Sequence, residues 1–209
     1  LGSMGSDAGS QIAVIDPLGV ISRTYYDDAD RPVTVVQNLV GQPISSGTPP
    51  ARNPATPDEN VRTDTVYDDA GNAIATVDPN GIITRTYHDG LGRVRYIVRN
   101  LTGQGIEVET PPAFNPTYPD RNVRSETVYD SEGNAIATVD NGGVITRTYF
   151  DGLHRATAVV QNLTGQPVGN NTPPAFSPSN PDENVRSDTA YLENKNCSGH
   201  WRFDIFTFR

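Results

Sequence analysis

A 62-residue block recurs along this 209-residue chain without insertion or deletion, and no other feature constrains the fold as much. Tyr67-Asp68 returns as Tyr129-Asp130, and the run from Gly71 to Asp78 returns unchanged from Gly133 to Asp140. The same offset carries Asn38-Leu39 to Asn100-Leu101 and Asn162-Leu163, and Thr48-Pro49-Pro50 to Thr110-Pro111-Pro112 and Thr172-Pro173-Pro174. The unit is used about three and a third times, and a unit that repeats at constant length buries its faces against its neighbours, as in an array. The expected divisions are a leader at 1–10, units at about 11–60, 61–122 and 123–184, the start of a further unit at 185–191, and an atypical tail at 192–209.

The unit from 61 to 122 reads as strands separated by turns. Val61 to Tyr67 is rich in Val and Thr and runs into Asp68-Asp69-Ala70-Gly71, so a strand meets a glycine-bearing turn. Asn72 to Val77 is a second strand, closed by Asp78-Pro79-Asn80-Gly81, where Pro79 presets φ and Gly81 accepts a positive one. Ile82 to Tyr87 is a third strand. Arg93 to Arg99 is a fourth, with Val94, Tyr96 and Val98 on one face. Tight turns between consecutive strands predict an all-β, repetitive antiparallel meander of four short strands per unit. The remainder, Asn100 to Asn122, holds four prolines and two glycines. Proline cannot donate to a ladder, so this stretch is a long loop, predicted to pack on the sheet through Leu101, Phe114 and Tyr118. No segment has sustained helical spacing of apolar residues.

Composition narrows the function classes. Hydrophobic residues make up 35% of the chain, which suits a thin or hollow β-structure. A formal net charge of −9 repels phosphate backbones and argues against nucleic-acid binding. No apolar run approaches the length of a membrane span. Leu1-Gly2-Ser3-Met4-Gly5-Ser6 reads as a cloning remnant without the apolar stretch of a signal peptide. The tail holds Lys195, Cys197, Trp201 and half of the six phenylalanines. It reads as vector-derived, or as a capping strand that alternates Trp201, Phe203 and Ile205. The single Cys197 excludes an internal disulfide.

The string Gly81-x-x-x-Arg85-x-Tyr87-x-Asp89-x-x-Gly92-Arg93, preceded by Tyr67-Asp68-x-x-Gly71-Asn72, resembles the YD repeat of the Rhs family, which includes the C component of bacterial Tc toxins and the teneurins. Gly143, Arg147, Tyr149, Asp151 and Arg155 repeat the pattern after Tyr129, Asp130 and Gly133; Gly19, Arg23, Tyr25, Asp27 and Arg31 do so in the first unit. Asp30 and His154 stand in place of Gly92, so positive φ need not be required there in every copy. The residues carry a structural reading of their own. Each Tyr ends a strand with a ring that packs on its neighbours, the following Asp accepts turn amides, and Arg93 leaves the turn close enough to pair with a carboxylate. The resemblance implies a wall segment of a hollow shell around a C-terminal cargo or toxin. It also implies a secreted or cell-surface parent protein and further YD repeats of that parent as the neighbours. Open sheet edges make a homodimer conceivable.

Other chemistry finds little support. Asp16-Pro17-Leu18-Gly19-Val20 looks like the sequence at which Rhs proteins cut themselves, but its counterparts from Asp78 and Asp140 are ordinary hairpin turns. His88, His154 and His200 lack metal-ligand spacing, and no calcium-loop pattern occurs. Asn100-Leu101-Thr102, Asn162-Leu163-Thr164 and Asn196-Cys197-Ser198 fit the short N-glycosylation pattern. Neither a cofactor nor a metal is expected, and an enzyme ranks last because no catalytic constellation stands apart from the repeat. The alternative to a shell segment is a binding module whose proline-rich loops present Phe114 and Phe176 to a glycan or protein ligand. A β-propeller of four-stranded blades is the architectural competitor, although three blades close no ring.

Overall fold

A computed structural model describes the backbone of residues 12–195 and 201–208 and the side chains of 12–191. The leader, Cys197, His200 and the glycosylation pattern at Asn196 therefore lie outside the described residues, as do the side chains of the tail. The described residues form thirteen strands and no helix. The chain is all-β and antiparallel, as the turn spacing predicts.

Two compact units divide the chain, one of residues up to His88 plus Ile97–Val123, the other of Asp89–Tyr96 plus residues from Arg124 onward. In the first, β1 (Ala13–Ile15), β2 (Ile21–Tyr26), β3 (Pro32–Gln37), β4 (Val61–Tyr67), β5 (Ala73–Val77) and β6 (Ile83–His88) pair in chain order, each antiparallel to the next. In the second, β8 (Val123–Tyr129), β9 (Ala135–Val139), β10 (Ile145–Phe150), β11 (Ala156–Gln161), β12 (Val185–Lys195) and β13 (Trp201–Phe208) do the same. The strand β7 (Val94–Arg99) supplies residues to both units. Where one sequence copy gives way to the next inside a unit, the ladder does not stop: Gln37 pairs Val61 across β3 and β4, and Gln161 pairs Val185 across β11 and β12.

Among the described residues every hairpin turn opens on an aspartate. In each, the backbone closes Asp to the residue four on, and the residue three on donates its amide to the Asp carbonyl, as in Asp89 N to Arg93 O and Gly92 N to Asp89 O, both 2.9 Å. The residue three on is left-handed, and in the turns that follow a tyrosine or Phe150 (from Asp27, Asp68, Asp130 and Asp151) the ladder slips by one, for instance between Tyr149 and Phe150. This is a type I turn followed by a left-handed bulge residue, the usual three-residue hairpin loop. Here one expectation fails. Asp30 (φ 59°) and His154 (φ 57°) adopt the same left-handed conformation as Gly92 (φ 75°), so the turn does demand positive φ in every copy. Asp and His are among the non-glycine residues that tolerate it best, and the bulge geometry admits no other choice.

The long loops cover one face of the meander. Leu39, Leu101 and Leu163 are 4–5% exposed, and each donates its amide to the carbonyl of the residue that opens β2, β6 or β10, namely Ile21, Ile83 or Ile145. Leu163 closes a cluster with Tyr149, Ala158 and Val160 over Ile145; Leu39 does so with Tyr25 and Val36 over Ile21. The core of the first and third copies thus comes as one small cluster each. Of the other two expected anchors, it is Tyr118 that lies at the surface. Phe114 is half-buried and Tyr118 is exposed at 48%. Backbone and amide groups near its ends also fix the loop.

Candidate functional site

The residues of the repeated motif assemble into two arginine–tyrosine latches per copy. The first lies within a copy. Arg85 and Tyr87, or Arg147 and Tyr149, sit two apart on β6 or β10 and so share a face, with the guanidinium carbon 4.8 and 4.7 Å from the ring centroid. Arg23 and Tyr25 repeat this on β2 at 4.7 Å. These arginines are buried, and among the described residues no carboxylate lies within ion-pair distance of them. Arg147 Nε donates to the Val168 carbonyl (2.8 Å), and Nη1 donates to those of Ile136 (3.2 Å) and Thr148. Arg85 does the same with Ile106, Ile74 and Thr86. Burial pulls both arginines below the ordinary arginine value, yet a guanidinium keeps its proton. Each therefore ties the preceding strand and the long loop to one point. The tyrosine hydroxyl completes the tie: Gln42, Gln104 and Gln166 each donate Nε2 to Tyr25, Tyr87 or Tyr149 (2.7–2.9 Å) and to the Thr carbonyl before the Pro-Pro pair. Burial raises the Tyr87 pKa, so the phenol stays neutral.

The second latch crosses from one copy to the next. Asp89 Oδ1 accepts the amides of Leu91 and Arg93, and its Oδ2 accepts Arg93 Nε and Nη2 at 2.8 and 2.7 Å. So fixed, Arg93 lies 4.3 Å from the ring centroid of Tyr129, whose hydroxyl donates to the Val94 carbonyl at 2.8 Å. Asp27, Arg31 and Tyr67 repeat the arrangement, as do Asp151, Arg155 and Tyr191, with centroid distances of 4.6 and 4.4 Å. The hydrogen bond from the arginine holds Asp27, Asp89 and Asp151 below the ordinary carboxylate value. Asp68 and Asp130 are lowered likewise by the side chains of Asn72 and Asn134, which take the arginine's place in that turn. The small residue of the motif now has a reason. A Cβ on Gly71 or Gly133 would meet Arg31 Nη1 at 3.6 Å or Arg93 Nη1 at 3.4 Å, and both glycines have positive φ. Gly81 and Gly143 also have positive φ but face open space.

Two further sets of residues matter that the motif reading did not single out. Asn38, Asn100 and Asn162 open the long loop, and Asn60, Asn122 and Asn184 close it; all six have φ near 50°. The closing amide donates to the opening carbonyl at 2.9 Å, and the opening Nδ2 donates to the Asp carbonyl two residues before the closing Asn. The second set is the glutamine above. Both recur at the 62-residue offset, which was the available signal.

The proposed aromatic platforms fare differently. Phe176 is 52% exposed and Phe114 half-buried. The first copy has Arg52 at the same place, bound to Asp64 (2.7 Å) and to the carbonyls of Val77 and Asp78. Burial opposes ionisation of Asp64, but hydrogen bonds from Arg62, Thr34 and Arg52 outweigh it and lower its pKa. This position is thus not aromatic in all copies. Asp16 makes the ordinary turn, its Oδ1 accepting Leu18 and Val20 amides. His154 meets only Glu132, at 3.7 Å with both side chains about two-thirds exposed. These two residues rim an open cleft of about 390 Å³ floored by Arg147 and Tyr149.

No protein-family model matches the chain, and no curated protein matches it. Among solved structures it is similar to the crystal structure of TcdB2-TccC3-Cdc42 at 14% identity and a TM-score of 0.46, over 88% of this chain and 8% of that one. TcdB2-TccC3 gives 14% and 0.47, over 83% and 7%. The structure of TcdB2-TccC3 without its hypervariable C-terminal region gives 12% and 0.36, over 90% and 11%. The chain therefore spans about a tenth or less of each of these proteins.

Proposed function

We propose that this chain is a non-catalytic wall segment of a YD-repeat shell that encloses a C-terminal cargo or toxin domain in its parent protein. The observation that carries this reading is the second latch, because Arg93 reaches past the end of its own copy to hold Tyr129 of the next. A residue pattern spent on joining identical copies serves extension of a surface rather than chemistry at one point. The turn carboxylates fit the same purpose. Asp27, Asp89 and Asp151 are committed to turn amides and to an arginine, which leaves none of them poised as an acid or base. The neighbours of the segment are then other repeats of the same parent, and the parent acts outside the cell that makes it.

The experiment is limited proteolysis of the parent protein with the arginines of the cross-copy latches intact or replaced by alanine. The segment C-terminal to the array is expected to be protected by the intact wall and to become cleavable when the latches are cut. Equal cleavage in both proteins would end the shell reading.

A further inference from the structure

Two Asn-Gly pairs sit at equivalent hairpin tips, Asn80-Gly81 between β5 and β6 and, one residue earlier in its turn, Asn141-Gly142 between β9 and β10. Asn-Gly is the pair in which a glycine amide reaches the preceding side chain with least steric hindrance, so both would convert at similar rates in an unfolded chain. The fold separates them. Asn141 is half-buried, and its Oδ1 accepts the backbone amide of Arg124 at 2.9 Å. That bond restrains the side chain, and the Gly142 nitrogen itself donates to Asp140 Oδ1 at 2.8 Å. Asn80 is exposed, and its side chain makes no hydrogen bond with the described residues. It lines an open cleft of about 250 Å³ with Arg52, Glu59 and Arg62, whose two arginines are paired to Asp64.

We propose that Asn80 is a site of spontaneous modification in the folded protein, giving aspartate and isoaspartate, while Asn141 is shielded. The Gly81 nitrogen loses its proton and attacks Asn80 Cγ; the new C–N bond closes a five-membered imide as the side-chain nitrogen leaves as ammonia. Water then adds to one of the two imide carbonyls and breaks its bond to nitrogen. Opening on the side-chain side gives aspartate, and opening on the main-chain side gives isoaspartate, which inserts a methylene into the backbone. The Gly81 amide normally donates to the Asp78 carbonyl at 2.9 Å, so the reaction proceeds through brief opening of that turn. The product would loosen the turn whose Asp78 carbonyl also receives Arg52 Nε.

The test is incubation of the full chain at mildly alkaline pH, native and in concentrated urea, followed by peptide mapping that separates Asn, Asp and isoaspartate. In urea both sites should convert at similar rates. In the native protein Asn80 should convert several-fold faster than Asn141, and Asn80→Ser should abolish that product without changing the behaviour of Asn141. Equal native rates, a faster Asn141, or no native conversion at Asn80 would each overturn the proposal.

Discussion

Arg147 and Arg155 stand eight residues apart, each over a tyrosine ring at 4.7 and 4.4 Å, yet they are held by opposite means. Arg147 is 2% exposed and rests on carbonyl dipoles inside its copy. Arg155 keeps about a quarter of its side chain in water and is aimed by the Asp151 carboxylate at the tyrosine of the following copy. The difference teaches which joint is rigid and which is adjustable. A buried cation with its donors satisfied by carbonyls cannot be removed without leaving those carbonyls unpaired. A partly exposed cation on a carboxylate is worth less, and depends on the charge of its partner.

The largest expected effect comes from the internal latch. Arg147→Ala should destabilise by about 3–5 kcal/mol in urea unfolding, since it leaves several buried acceptors without donors and a cavity beneath Tyr149. A loss no greater than that of Arg155→Ala would break the distinction. Leu163→Ala, beneath the same loop, should cost about 3 kcal/mol by cavity formation, and a smaller loss would mean that the loop is held by its asparagine and glutamine bonds alone. Gly133→Ala combines left-handed backbone with a Cβ placed 3.4 Å from Arg93 Nη1 and should cost about 1–2 kcal/mol. Gly143→Ala, which meets open space, should cost less; equality would show that only φ matters and that the latch does not press on the glycine. Tyr129→Phe removes only the bond to the Val94 carbonyl and should cost about 1 kcal/mol.

The smallest effect is electrostatic. Arg155 lowers the pKa of Asp151 in the fold, below the unfolded value of about 3.9. Its contribution is therefore complete above about pH 5 and lost as pH falls through the depressed folded value. Asp151→Asn should reduce the melting temperature at neutral pH and flatten its decline in acid. A mutant that retains the full acid dependence would exclude this carboxylate as its source.

Much of this was legible in the repeat. The strand positions follow from Val, Thr and Ile runs between Asp-x-x-Gly turns, and each strand begins within one residue of its expected start in the unit from 61. Pro111, Pro112, Pro116 and Pro119 marked the loop correctly. The errors have physical causes. Asp30 and His154 looked like relief from positive φ, but the bulge fixes the backbone and the side chain merely tolerates it. Tyr118 looked like an anchor by size alone; its ring pairs with Arg121 at the surface instead. The cross-copy latch was half visible, in that Arg93 was placed on a carboxylate. Its tyrosine lies 36 residues on, in the next copy, where spacing within a single unit could not reveal it. The recurrence of Asn38, Asn100 and Asn162 was visible, but their pairing with Asn60, Asn122 and Asn184 was not, because Asn-Leu and Asn-Val resemble ordinary loop edges until their φ angles are known.

Whether one copy holds the next is tested most directly by a double-mutant cycle on Arg93 and Tyr129, using Arg93→Ala, Tyr129→Leu and both together in urea unfolding. If the latch joins the copies, the double mutant should lose less stability than the sum of the single mutants, by a coupling of about 0.5–1 kcal/mol. Additive losses would contradict it, leaving the tyrosine and arginine as neighbours that do not hold each other.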